Sequence, residues 1–315
     1  MSRTDNPVVA VICGGPSAEA GVSRVSGRSV AEALVATYRS VVTIELDNAI
    51  GDALRDTKPD VVFPVLHGPP GEDGTFQGFL ETLGLPYVGS GVQASAFAMN
   101  KIVAKGLFAR VGLPVARDAV VRRGATADGV LEDVLMRLGP RLVVKPASQG
   151  SAVGVRFART ATELAAAVKA AFEFDDAVLV EERVEGREIT VGILDRRDTE
   201  ALPVVEVRTP PGTWYDFEHR YTPGLSEHVI PAPLPREQYA RTQDVAREAH
   251  RVLGCRDLSR ADFVVPASGE PILLEVNTMP GMTPTSLYPD AARAAGITFE
   301  KLVAHLVERA LARAV

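Results

Sequence analysis

The sequence predicts an α/β protein of two or three domains that opens on a doubly wound unit. Continuous apolar runs alternate with helical patterns through the N-terminal third, as strands buried on both faces do. Glycine-rich turns separate those runs. A chain of 315 residues also exceeds one ordinary core.

Val8-Val9-Ala10-Val11-Ile12-Cys13 reads as the first strand, followed by the turn Gly14-Gly15-Pro16-Ser17-Ala18-Glu19 and a helix over residues 20–36. The pattern repeats with strand 41–46, helix 50–55 and strand 61–66. Ligands of such sheets sit beyond the C-terminal strand ends, where Glu19 and His67 fall. His67-Gly68-Pro69-Pro70-Gly71-Glu72-Asp73-Gly74 is a rigid loop before a helix over 75–83. Such a loop after a buried strand suits function, although His67 reads equally as an orienting residue. Residues 85–91 read as a short strand and turn, and 92–111 as one long helix carrying Lys101.

From residue 113 the composition shifts. Strand 113–121 and helix 127–138 precede strand 141–146, which ends at Lys145. The loop Ala147-Ser148-Gln149-Gly150-Ser151-Ala152-Val153-Gly154 then returns into strand 155–157. A flexible loop between antiparallel strands fits a lid whose backbone amides cover phosphates. It is not a P-loop, because no Gly-Lys-Ser/Thr opens a helix here. Thr160 and Glu163 form a capping box for the helix to residue 172. Strand 176–183 runs into Glu181, Glu182 and Val184. From residue 187 a clean alternation sets Glu188 and Thr190 against Ile189 and Val191; this alternation alone equally supports a solvated edge. Residues 209–227 are a long loop rich in proline and glycine, with Trp214, Tyr215, Arg220 and Tyr221, which fits a functional lid. Helices follow over 235–253 and 298–314.

The two late runs, 260–265 and 271–277, read as strands joined by a hairpin turn. Residues two apart on a strand share a face. Arg260 and Asp262 therefore share one, as do Glu275 and Asn277, and pairing the strands gathers three oxygen donors. Such donors suit magnesium, which commonly bridges substrate phosphates. On their own, Asp262 and Glu275 read equally well as solvated strand-end charges.

The net charge of −6 and the lack of a long basic run disfavour nucleic acid or anionic membrane as partners. Cys13 and Cys255 read as small buried hydrophobes in a reducing compartment. No apolar run reaches membrane-spanning length and no signal-peptide core is present, so a cytoplasmic location is expected. No Ser-His-Asp or Cys-His arrangement competes. Two lysines, a glycine lid and a magnesium triad are what phosphoryl transfer needs, which points to ATP-dependent chemistry.

At these residues the chain resembles the ATP-grasp superfamily, and within it the D-alanine–D-alanine ligases. The motifs are Gly-Gly-Pro-Ser-Ala-Glu, His-Gly-x-x-Gly-Glu-Asp-Gly, Lys-Pro-x-x-x-Gly-Ser-x-Val-Gly, Arg-x-Asp and Glu-Val-Asn-Thr-Met-Pro-Gly-Met-Thr, in family order over residues 8–311. The resemblance implies three domains: an N-terminal substrate-binding α/β domain (1–99), a central ATP-grasp lid domain (100–186) and a C-terminal catalytic domain (187–315). It implies ATP-dependent joining of two D-alanines, for peptidoglycan precursor synthesis, through an acyl phosphate that the second amine attacks. Residue by residue, it implies that Lys101 and Lys145 hold ATP phosphates and that Ser151 sits in the lid. Glu181 would lie near the adenine and Glu188 at the ribose, with backbone groups from Glu182 to Val184 reading the adenine edge. Asp262, Glu275 and Asn277 would hold two magnesium ions, with manganese as an alternative. Arg260 and the Gly281 amide would form the oxyanion site. Glu19 would anchor the first D-alanine with His67 nearby, Ser286 and Leu287 would meet the carboxylate of the second, and Tyr221 would close the loop against Glu19 and Ser151. Tyrosine at 221 resembles the dipeptide-forming subgroup. The family suggests a homodimer.

The chain departs from the family pattern at Gly21, where a second glutamate is usual, at Ala152, where a second serine is usual, and at Arg220, where lysine is common. Two other readings accompany these changes: a paralogue acting on another D-amino acid or a hydroxy acid, and an ATP-binding regulator without turnover.

Overall fold

The structure, a computed structural model, describes residues 7–124, 129–222, 224–267 and 269–313; the side chains of Phe217 and Tyr221 lie outside that description. The first unit carries β1 (Val8–Cys13), α1 (Ala20–Leu34), β2 (Ser40–Glu45), α2 (Ile50–Thr57), β3 (Val61–Pro64) and α3 (Thr75–Thr82). Its three strands are parallel in the order β2-β1-β3. The central strand is almost wholly buried, which explains its unbroken apolar run. α1 lies close over it: a Cβ at Gly27 would sit 2.6 Å from that of Cys13, so glycine sets the approach. The expected strand near residue 87 is reduced to a single bridge between Val62 and Tyr87.

The expected long helix over 92–111 is two helices, α4 (Val92–Met99) and α5 (Lys101–Arg110). Asn100 breaks the run with an extended backbone, φ −87° and ψ 99°. Its side chain accepts hydrogen bonds from the amides of Ile102 and Val103, capping α5. The cap fixes Lys101 as the first residue of α5.

A four-stranded antiparallel sheet follows, built from β4 (Asp118–Arg122), β5 (Leu142–Pro146), β6 (Arg156–Ala158) and β7 (Ala177–Glu182) in the order β4-β7-β5-β6. α6 (Val130–Leu138) and α7 (Ala161–Ala171) cover one face, burying Val134, Leu138, Leu164 and Val168 against Val144 and Val180. The Thr160 hydroxyl accepts from the Glu163 amide as expected. β4 starts later than the sequence suggested: Pro114 instead gives its carbonyl to the Leu273 amide at 2.8 Å, which ties the start of this segment to the third sheet.

That third sheet holds β8 (Arg187–Asp195), β9 (Thr199–Ala201), β10 (Val205–Arg208), β11 (Glu227–Val229), β12 (Leu258–Val265) and β13 (Ile272–Asn277) in the order β11-β10-β8-β12-β13, with β9 on β8. The long loop before β11 contains α8 (Phe217–Tyr221). α9 (Arg236–Leu253), α10 (Leu287–Ala294) and α11 (Phe299–Ala312) complete the chain. Cores cross the sheet boundaries. Phe108 of α5 packs with Ile189 and Phe263 of the third sheet, and Leu302 and Leu306 of α11 pack with Val9 and Val61 of the first. These shared cores join the first and third sheets, while the second sheet keeps a core of its own with α6 and α7.

Candidate active site

The β12–β13 hairpin sets Arg260 opposite Asn277 and Asp262 opposite Glu275, with a bulge after Asp262. Strand alternation puts all four on one face. Arg260 donates to both Asp262 oxygens, at 2.8 Å from Nε and 2.7 Å from Nη2. Thr190 of β8 donates to Asp262 Oδ1 at 2.6 Å, and Asn277 Nδ2 to Oδ2 at 3.2 Å. Burial works against the charge on Arg260, but Asp262 more than offsets it and raises its pKa. Glu275 is likewise opposed by burial, yet Lys101, Arg220, Lys145 and Arg260 hold its carboxyl down at about 2. Among the described residues no three His, Cys, Asp or Glu side chains cluster as metal ligands. A cation here would rely on two carboxylates, the Asn277 carboxamide and phosphate oxygens of a ligand. That donor set fits magnesium, which seldom takes an all-protein cage.

Two lysines meet this hairpin from other elements. Lys101 Nζ lies 3.3 Å from Glu275 Oε2 and donates to the Gln149 carbonyl at 2.5 Å, joining hairpin to lid loop. Lys145, at the end of β5, pairs with Glu181. Lys105, one turn after Lys101, pairs with the other Glu181 oxygen at 2.5 Å. Burial would raise the Glu181 pKa, but these two ammonium groups bring it below its usual value. The Glu181 carboxylate is therefore committed to two lysines. Lys105 is a residue that sequence reasoning missed, because nothing in a helical register announces a partner 76 residues away.

Between the four-stranded and six-stranded sheets lies a cavity of about 340 Å³. Lys101, Lys145, Glu182, Val184, Glu188 and Trp214 are among its lining residues. Glu182 is paired with Arg117 at 2.7 Å. Burial raises the Glu188 pKa, while the Tyr215 backbone hydrogen bond acts against it. The long loop thus closes one wall, with the Arg220 guanidinium 4.7 Å from the Tyr215 ring centroid.

The lid loop also reaches the first sheet. The Ser151 hydroxyl donates to the Glu19 carboxylate, and Glu19 is buried. Ser151 and Ala152 hold φ of +45° and +59°, left-handed values that L side chains rarely adopt. His67 is buried beside Glu19; burial lowers its pKa, and its Nε2 has no hydrogen-bond partner among the described residues. A buried imidazole nitrogen without a partner is costly. Glu72 accepts from the Gly68 amide at 2.7 Å, and burial, then the Glu19 charge, push its carboxyl up to about 8. It too was missed, although it stands inside the histidine-glycine motif. Past β13, Ser286 Oγ accepts from the Thr283 amide at 3.0 Å, and a Cβ on Gly281 would fall 2.8 Å from that oxygen. Leu287 is buried in the core, so only its backbone could face a ligand. The Tyr221 side chain lies outside the described residues.

The family model described as D-ala D-ala ligase C-terminus matches residues 107–308, and that described as D-ala D-ala ligase N-terminus matches 48–90. A D-alanine--D-alanine ligase of Geobacter sulfurreducens is 47% identical over 300 residues, covering 95% of this chain and 92% of the relative. One from Desulforamulus reducens is 42% identical, covering 96% and 98%. The chain belongs to the D-alanine–D-alanine ligase family. Its fold agrees with that membership. The crystal structure of a D-alanine--D-alanine ligase from Bacillus anthracis complexed with ATP matches with a TM-score of 0.84 at 32% identity, covering 98% of each chain. Within this ligase-family chain, two of the three departures from the family pattern, Gly21 and Arg220, are structurally mild, whereas Ala152 holds the left-handed φ of +59°. A Cβ at Gly21 would meet nothing within 4 Å, and Arg220 retains a cation that faces Glu275. No helix among the described residues is long and apolar enough to cross a membrane.

Proposed function

We propose that the chain joins two D-alanines at the expense of ATP, through a D-alanyl phosphate, to give D-alanyl-D-alanine for peptidoglycan precursors. One observation carries this reading: Lys101 holds the Glu275 carboxylate and the lid-loop carbonyl of Gln149 at once. An ammonium shared by a hairpin carboxylate and the lid loop supports this reading, because phosphoryl transfer needs positive charge beside the phosphates.

In this reading ATP lies in the cavity between the two larger sheets, with Lys101 and Lys145 on its phosphates and Glu188 at the ribose. The backbone from Glu182 to Val184 reads the adenine edge. Glu181, which lines the same cavity, would lie near the adenine while it holds Lys105 and Lys145. Asp262, Glu275 and Asn277 would hold two magnesium ions, which supply charge neutralisation at the phosphates when bound. Arg260 and the Gly281 amide face the oxyanion, Glu19 with His67 holds the first substrate's ammonium, and Ser286 with the Leu287 backbone meets the second carboxylate. Ser151, and Tyr221 from the long loop, close against Glu19. The boundaries 1–99, 100–186 and 187–315, a cytoplasmic setting and a homodimer belong to the same reading; the two free cysteines are consistent with a reducing compartment.

The test is ADP release with ATP, magnesium and D-alanine, with the product identified by mass. A D-alanyl-D-alanine product is expected. ATP binding without turnover on D-alanine, and turnover on another amino or hydroxy acid, would overturn the substrate assignment.

A further inference from the structure

Residues 209–227 separate two strands of the third sheet, yet their first half does not pack only on that sheet. Trp214 meets Phe157 of β6 edge to face, with ring centroids 5.3 Å apart and planes at 85°. Phe157 is in turn covered by the Arg183 guanidinium, 4.4 Å from its centroid. The order is long loop, β6 and the residue just after β7. All three line the cavity that also holds Lys145 and Glu188. Phe157 is 37% exposed and Trp214 half-buried, so neither ring belongs to a core. An aromatic pair at a surface, spanning two sheets, holds little together except those sheets.

The next residues tie this contact to the reaction centre. The Tyr215 backbone hydrogen-bonds Glu188, and the Tyr215 carbonyl accepts from Arg220 Nε at 3.2 Å. Arg220 and Glu275 line the same cavity. The same loop therefore touches the lid strand at Trp214 and faces the hairpin carboxylates at Arg220.

We propose that Trp214 and Phe157 form an aromatic clasp, backed by Arg183, that must part for a nucleotide to enter the cavity and for ADP to leave it. The clasp rests on the nucleotide assignment made above. Trp214 and Phe157 act as positioning residues, because they hold the wall that carries Tyr215 and Arg220 rather than the reacting atoms. Breaking the pair should speed ADP departure and also loosen Arg220 over the site. Where ADP release limits turnover, kcat would then rise or hold while the KM for ATP increases.

Trp214 is the only tryptophan in the sequence, so emission excited at the red edge, beyond tyrosine absorption, reports from this position. The experiment uses the full chain with Phe157→Ala, Phe157→Tyr and Arg183→Gln, with ADP as the probe. Emission is recorded without nucleotide, and ADP dissociation is followed by stopped flow against excess ATP. Phe157→Ala should shift the emission of the free protein to the red and accelerate ADP dissociation about two- to tenfold, the size expected of one aromatic pair. Phe157→Tyr should restore both, and Arg183→Gln should fall between. An unchanged ADP dissociation rate in Phe157→Ala, with or without an emission shift, would overturn the clasp. A wild-type chain that binds neither ADP nor ATP would instead remove the nucleotide assignment and the clasp with it. Thermal melting separates a folding defect from either result, and Phe157→Leu replaces the alanine variant if it melts early.

Discussion

The Ser151 hydroxyl hydrogen-bonds the Glu19 carboxylate across 132 residues of sequence, and this contact closes the lid of the second sheet onto the first. The lid adopts left-handed backbone at both Ser151 and Ala152 to make it. Such conformations persist only where surrounding contacts over-determine them.

Ser151→Ala removes a hydrogen bond to a charged group without touching Lys101 or Lys145. The expected loss is about 10- to 100-fold in kcat/KM for the first D-alanine, since such bonds contribute about 1.5–3 kcal/mol. Steady-state ADP release checks this, and unaltered kinetics would mean that the lid closes without the Glu19 contact.

Glu275→Ala should abolish magnesium-dependent turnover while the chain stays folded. The residue lies on the end strand β13 with 22% of its side chain exposed, and Lys101 keeps its bond to the Gln149 carbonyl when Glu275 is cut away. Circular dichroism and ADP release together read both halves of the expectation; full activity would remove the metal assignment.

Glu181→Ala makes the opposite demand. It leaves the buried Lys105 and its neighbour Lys145 facing each other without the carboxylate between them. Removing one partner from such a buried set typically costs about 3–5 kcal/mol. Urea unfolding should show that loss, with ATP affinity falling as well because Lys145 is no longer aimed.

Arg260→Lys keeps a positive charge but not the fork that spans both Asp262 oxygens. Turnover should fall by about 100- to 1,000-fold, the range seen when one donor to a developing oxyanion is lost. The affinity for ATP should change far less, which equilibrium binding would show.

Acid stability has a separate signature at Asp195. Burial would raise its pKa, but the His250 imidazole 3.5 Å away, with bonds from the Thr199 hydroxyl and the Asp257 amide, brings it from 3.8 to about 2. A depressed carboxyl contributes stability above its unfolded value and loses it as pH falls through the folded one. Between about pH 4 and 2 the wild type should therefore lose stability more steeply than Asp195→Asn. Chemical denaturation along that pH range gives the difference curve; parallel curves would mean the His250 contact is absent in solution.

What the sequence determined by itself was local: the alternation of strands and helices, the glycine-rich lid, the hairpin carrying Arg260, Asp262, Glu275 and Asn277, and the motifs of the ligase family. Each follows from spacing along a few residues, where side-chain direction repeats every second or fourth position. Tertiary structure decided where the helix over 92–111 breaks, since Asn100 can continue a helix or cap one and only packing chooses. It also decided that Glu181 is shared by Lys105 and Lys145, that Glu72 is enclosed beside Glu19, and that Trp214 rests on Phe157. These relations join residues far apart in the chain. They depend on burial and on charges brought within a few ångströms, and periodicity carries no record of either.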